Sequence, residues 1–223
     1  MQLYIFVVRK NYKELLLVSN MDRREYFLEV FEKVEKKYGK YEKRLAGESW
    51  GPAWKTLVAT IMSAQSRDET TIPIAENLFK KYSSLDKLAN AKFSDVLKIL
   101  KSMNYNKTKA KHVIMAAKFI RDDFKGKVPA DIDELVKIPG VGRKTANLVL
   151  GEVFKKDVIC VDTHVHRISN VFGFVKTNNP NKTEMELRML VPKKYWKKIN
   201  RIFVLWGKDV PGRDKERLLT ELE

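Results

Sequence analysis

Lys144 and Asp162 are the residues whose types and spacing could do covalent chemistry in this chain. Lys144 follows Pro139-Gly140-Val141-Gly142-Arg143 and stands two residues into a helix whose apolar stripe is Ala146, Val149, Leu150 and Val153. At about 100° per residue it lies roughly 200° from the centre of that stripe, off the helix's own core face. Leu148 and Gly151 share its side, so that side is not simply solvent and the lysine could line a cleft. The positive helix end and the neighbouring Arg143 both disfavour its ammonium. A lysine whose pKa is pushed down is a usable amine nucleophile near neutral pH. A carboxylate that could take its proton is Asp162, eighteen residues on, which leaves the apolar run Val158-Ile159-Cys160-Val161 and opens a helix. Periodicity alone favours a plain N-cap for Asp162, worth about 1 kcal/mol.

Gly140 and Gly142 can take positive φ and bring main-chain N–H groups together beside a helix start without a Cβ in the way. Such a hairpin, Gly140-Val141-Gly142-Arg143, suits a phosphate of any sequence context; a tight helix–helix turn with no ligand is the competing reading. His164 and His166 form an H-V-H pair without further ligands nearby, which favours helix packing or contact with a polyanionic backbone over metal binding. Cys160 is the only cysteine, so no disulfide framework or cysteine-ligated cluster forms within one chain, and its apolar neighbours make it a buried small side chain.

The elements that must position these groups read as helices. Phe27, Val30, Phe31 and Val34 recur at helical spacing between an Asp22/Glu25 capping pair and Gly39. Pro52 opens a second stripe, Trp54, Leu57, Val58, Ile61 and Met62. Ser66 and Glu69 suggest a cap, with Pro73 as a kink or second start. Val96, Leu97 and Leu100 suggest a short helix, and Ala110 to Phe124 a longer one. Asp131 and Glu134 cap a short helix before the hairpin; Val165, Ile168 and Phe172 mark the helix that Asp162 opens, with Gly173 beyond it. Two more helices are expected near 182–190 and 193–206, the second closed by Gly207. Strand signal is confined to residues 3–8, in the opening MQLYIFVV, which lacks a basic leader and reads as a strand or short buried segment.

The chain of 223 residues carries 44 Lys and Arg against 28 acids, a formal charge of +16. That excess favours a polyanionic partner, nucleic acid first, over the balanced lysine-rich coat of thermophile-like proteins. No apolar run reaches a membrane span. The charge is concentrated: residues 98–127 hold nine cations and two acids, and 193–217 nine against three. Tyr105 sits inside the first block, an aromatic in a basic loop suited to stacking on bases; a solvated charged face is the alternative.

The stretches LVKIPGVGRKTANLVLGEVF and VICVDTHVHRISN resemble the helix-hairpin-helix (HhH-GPD) DNA glycosylase superfamily, and IMSAQSRD at 61–68 with KGKVP at 125–129 resembles its endonuclease III branch. The resemblance runs from about residue 46 to 207. It implies an all-α, two-lobed fold with a DNA cleft between lobes: a six-helix barrel over 46–156, and a second lobe from 1–45 plus 157–223. It implies that Lys144 attacks C1′ of a flipped nucleotide, that Asp162 activates the lysine and stabilises positive charge on the sugar, and that β-elimination then cuts the strand. The lysine marks members that are both glycosylase and abasic-site lyase. Gln65 matches the residue that fills the gap left by the flipped base; Tyr105 stands where the wedge loop commonly carries leucine; Ser63 and Asp68 fall at the base pocket; Lys208 joins the hairpin as a DNA contact.

The family's four-cysteine iron–sulfur cluster would follow Gly207-Lys208, where the chain instead reads DVPGRDKERLLTELE, so no cofactor is expected. Lys208, Arg213, Lys215 and Arg217 would then replace the cluster loop's phosphate contacts or form a plain charged tail. The expected activity is base-excision glycosylase with lyase function on oxidised pyrimidines. Alkylated purines, or uracil and thymine mispaired with guanine, are the alternative substrates, and a non-catalytic DNA-binding module is the alternative class. The expected partner is double-stranded DNA with a damaged or mismatched base, bound by an intracellular, DNA-associated monomer with no membrane attachment.

Overall fold

Apolar residues at helical spacing become helices along nearly the whole chain because each buries its stripe against another. The computed structural model describes residues 22–48 and 50–222, in which every regular element is helical. The opening MQLYIFVV lies outside the described residues. The chain divides into two compact units, one spanning Glu42–Cys160, the other combining the described residues up to Tyr41 with those from Val161 onward.

The Glu42–Cys160 unit contains α2 (Ala53–Ser63), α3 (Asp68–Lys81), α4 (Leu85–Ala89), α5 (Phe93–Ile99), α6 (Asn106–Asp122), α7 (Ile132–Leu135) and α8 (Arg143–Glu152); α1 (Arg23–Tyr38) precedes it in the other unit. Helix α2 is the centre. Leu57, Val58, Ile61 and Met62 are buried on several sides, and α3, α6 and α8 all pack on it. Each fully buried side chain of this kind contributes about 1.5–3 kcal/mol before entropy is subtracted. Helix α3 begins at Asp68 with no side-chain cap and runs through Pro73, which is exposed. The expected Ser66/Glu69 cap does not form, because Ser66 is held elsewhere. Helix α4, capped by Ser84 onto Lys87 N–H, has too few residues for a periodic signal.

The second unit contains α1, α9 (Thr163–Val171), α10 (Pro180–Leu190), a 3₁₀ turn at Lys193–Tyr195, α11 (Trp196–Asp209) and α12 (Lys215–Thr220). Its core is aromatic. Phe27 stacks on Phe31 at 5.4 Å, meets Phe174 edge-on at 5.1 Å, and Trp206 lies 5.2 Å from Phe172. Gly207, expected as a helix stop, is instead inside α11. A Cβ there would lie 2.5 Å from His164 Nδ1 and 2.8 Å from Arg167 Nη2, so the glycine admits α9. The charged C-terminal segment is also ordered: Asp214 caps α12, Leu218 is buried, and its carbonyl accepts Trp206 Nε1–H at 3.2 Å.

Candidate active site and DNA-contact residues

The hairpin is built by a short helix, a turn and a helix start. Asp131 accepts N–H bonds from Asp133 and Glu134 and so fixes α7, and Val141 is buried beneath the turn. Gly140 has φ +83°, and a Cβ on it would meet His112 of α6 at 2.8–3.0 Å. Glycine is therefore demanded twice, by backbone sign and by space. Gly142 does not use that freedom: its φ is −96°, an extended N-cap that any residue adopts, with nothing within 4 Å of where a Cβ would stand. Its value is open space beside the first N–H groups of α8. Arg143 and Lys144 follow, both exposed on the first turn.

The face that Lys144 occupies is partly covered. Leu148 is half-buried one turn on, and Gly47 lies so close that a Cβ would stand 2.4 Å from Leu148 Cδ2. That glycine is held by its neighbours: Asp68 Oδ1 accepts Ala46 N–H at 3.0 Å, and Trp50 Nε1–H donates to Ala46 C=O at 2.6 Å. Asp68 thus uses one carboxylate oxygen to anchor the segment over α8. Ser63 is half-buried, with its hydroxyl donating to Thr60 C=O at 2.9 Å.

The apolar run leading to Asp162 is fastened to the same helix. Asn147 Nδ2 donates to Ile159 C=O at 3.2 Å, and Cys160 Sγ donates to Lys144 C=O at 3.5 Å. Cys160 is buried, as its neighbours predict. Asp162 then opens α9 as its N-cap, Oδ1 accepting Val165 N–H at 2.8 Å. The two members of the H-V-H pair do different work. His164 packs against Gly207, and burial, with Arg167 and Lys208 nearby, pushes its imidazolium pKa down while Asp162 opposes that. His166 Nδ1 lies 2.7 Å from Thr183 Oγ1. Among the described residues no three His, Cys, Asp or Glu side chains are grouped to hold a metal ion.

Lys208 is half-buried at the end of α11. The segment after it is gathered by Arg167, whose guanidinium donates to the carbonyls of Gly207 at 2.9 Å, Val210 at 3.2 Å, and Gly212. Gln65 and Tyr105, in the other unit, share a neighbourhood and a strained backbone. Gln65 has φ +53° and Tyr105 φ +56°, and both are exposed. A non-glycine residue held there costs on the order of 1–3 kcal/mol, and such residues cluster at functional sites. Asn104 Nδ2 donates to Gln65 C=O at 3.2 Å.

One functional candidate escapes sequence reasoning. Lys109 reads as one more cation in a basic run, yet it is 4% exposed and its Nζ donates to Ser66 Oγ at 2.6 Å. Burial lowers its pKa to about 8. Its apolar neighbours Ala110 and Val113 hint at a buried stripe, but not that the lysine belongs to it.

Residues 58–193 match the HhH-GPD superfamily of base excision DNA repair proteins. The endonuclease III of Thermotoga maritima is 40% identical over 157 residues, covering 70% of this chain and 74% of that protein. That of Bacillus subtilis is 35% identical over 156 residues, covering 70% and 71%. Among solved structures, a trapped endonuclease III–DNA covalent intermediate superposes with a TM-score of 0.78 at 27% identity, covering 85% of this chain and 88% of that one. A thermostable thymine-DNA glycosylase shares the fold, with a TM-score of 0.72 at 18% identity over 86% and 89%. The chain belongs to the HhH-GPD superfamily of base excision DNA repair proteins. Within it, these relatives mark the endonuclease III-like branch.

Proposed function

We propose that this chain removes oxidised pyrimidines from duplex DNA and cuts the resulting abasic site, with Lys144 as the nucleophile. The observation that carries the reading is an exposed lysine on the first turn of α8, directly behind the hairpin, with the run that leads to Asp162 tied to the same helix. The relatives named endonuclease III, one of them trapped on DNA as a covalent intermediate, support it.

The Lys144 amine attacks C1′ of an extruded nucleotide, and the glycosidic bond breaks with its electron pair leaving on the base. Ring opening gives a Schiff base between Nζ and C1′. Loss of a C2′ proton then expels the 3′ phosphate oxygen, and water releases the lysine. Asp162 takes the ammonium proton through the carboxylate oxygen not used on Val165 N–H, and its charge favours the developing cation on the sugar. Gly140, Val141, Gly142 and Arg143 present N–H groups and a cation to the backbone phosphate near the lesion. Gln65 occupies the gap and Tyr105 stacks opposite it, which offsets part of the few kcal/mol that unstacking costs. Ser63 and Asp68 border the base, and Lys208 adds a phosphate contact.

We also infer that the reaction proceeds without an iron–sulfur cluster. The chain carries one cysteine, buried against Lys144 C=O, and the segment after Lys208 is held by Arg167 and by α12 instead. No helix among the described residues is long and apolar enough to cross a membrane. The reading is of a monomer acting on damaged DNA inside the cell. Its test is a panel of duplexes with one lesion each: an oxidised pyrimidine, an alkylated purine, and uracil or thymine opposite guanine. Base release followed by strand cleavage on the first is expected; binding without release of any base would leave only a DNA-binding module.

A further inference from the structure

Gln65 and Tyr105 belong to separate loops, yet they are not mechanically separate. Two side chains that flank Tyr105 reach two consecutive residues of the other loop. Asn104 Nδ2 donates to Gln65 C=O at 3.2 Å, and Lys109 Nζ donates to Ser66 Oγ at 2.6 Å. Lys109 is itself fixed to the base of the second loop, its backbone N–H donating to Tyr105 C=O at 2.9 Å. One bridge between two loops is a hinge; two bridges on adjacent residues also resist rotation.

The bridges join two of the four described non-glycine residues with left-handed backbones, the others being Lys125 and Lys155, and Tyr105 is 65% exposed. Burying a lysine is costly, and this one sits in a run whose other cations have ready access to solvent. What its burial supplies is a short, charge-assisted bond to a hydroxyl at the root of Gln65. With its pKa lowered to about 8, the amine keeps that charge at neutral pH.

Resting on the glycosylase reading above, we propose that Lys109 and Asn104 are positioning residues that lock the Gln65 and Tyr105 loops into one two-pronged wedge. The two prongs enter the duplex together when the damaged nucleotide leaves the stack. Strain at both backbones is retained because relaxing either loop would misalign its partner. The brace acts on extrusion and not on the chemistry at C1′, so its loss is felt only where a base must be flipped.

The test compares wild-type protein with Lys109→Met, Asn104→Ala, Ser66→Ala and Ser66→Thr in single-turnover base release. Two substrates carry the same lesion, one fully paired and one opposite an abasic gap where extrusion is easy. Lys109→Met and Ser66→Ala are expected to slow release from the paired duplex about 10- to 100-fold, the scale of an ångström-level misplacement. On the gapped duplex they are expected to match wild type within about threefold, and Ser66→Thr, which keeps the hydroxyl, to retain the paired rate. Fluorescence of 2-aminopurine beside the lesion should report the slower flipping. Ser66→Ala alters no core side chain, so it decides the matter if Lys109→Met does not fold. Equal losses on both substrates, or no loss on either, would overturn the brace. Wild-type protein inactive on every lesion would instead sink the glycosylase reading before any variant is compared.

Discussion

Cys160 Sγ sits 3.5 Å from the carbonyl oxygen of Lys144, and Asn147, on the next turn of the same helix, holds Ile159 C=O at 3.2 Å. The run that ends directly before Asp162 is thereby fastened along the helix that carries Lys144. Removing the Asn147 donor leaves a buried carbonyl without that bond, at about 1–3 kcal/mol. Asn147→Leu is expected to lower the denaturation midpoint accordingly. It should also slow base release more than it weakens DNA binding, because it loosens the chain leading to Asp162. A variant as stable and as fast as wild type would show that this fastening is incidental.

The two hairpin glycines are predicted to behave differently. Gly140→Ala meets a positive φ and a His112 contact at 2.8 Å, so it should cost more than about 1–2 kcal/mol of stability. Gly142→Ala fits the backbone and open space, so its stability loss should stay under about 1 kcal/mol while affinity for duplex DNA falls. Chemical denaturation and binding titrations on the pair decide this. Equal destabilisation would contradict the geometry.

Gly207→Ala is predicted to destabilise by about 1–3 kcal/mol, because the new methyl would overlap His164 and Arg167. Thermal unfolding of the variant measures it. An unchanged midpoint would mean that α9 and α11 are not as close as described.

Lys109 makes stability depend on pH in a defined direction. Its pKa is about 8 in the folded chain and 10.5 when unfolded. Below pH 8 both states are protonated and the burial penalty is complete. Between about pH 8 and 10.5 the unfolded chain binds more protons, so stability rises with pH, by up to about 3 kcal/mol. Denaturation profiles of wild type and Lys109→Met should therefore diverge in favour of wild type across that window. Parallel profiles would show that Lys109 is not buried.

Much of this architecture can be read from residue types, and the misses have physical causes. Stripes such as Phe27 to Val34 and Ala146 to Val153 announce their helices because one face must be buried. Gly207 looks like a helix stop, since glycine usually ends helices; only the approach of His164 and Arg167 from α9 explains it. Ser66 mimics a cap for Glu69, but its partner Lys109 lies 43 residues away and no local pattern points to it. Helix α12 hides among charges because Leu218 is its one buried side chain. In the candidate site, Lys144 and Asp162 stand out through motif and spacing. Lys109 does not, because a lysine in a basic run is ordinarily solvated.

The central claim is that the Lys144 amine forms a bond to the sugar of a damaged nucleotide. Borohydride added during reaction with a lesion-bearing duplex tests it most directly, because it reduces a Schiff base to a stable amine. A covalent protein–DNA adduct is expected with wild-type protein and none with Lys144→Ala, although that variant, exposed at its changed position, should fold and bind DNA. An adduct of equal yield from Lys144→Ala, or base release by wild type with no adduct trapped, would contradict the account.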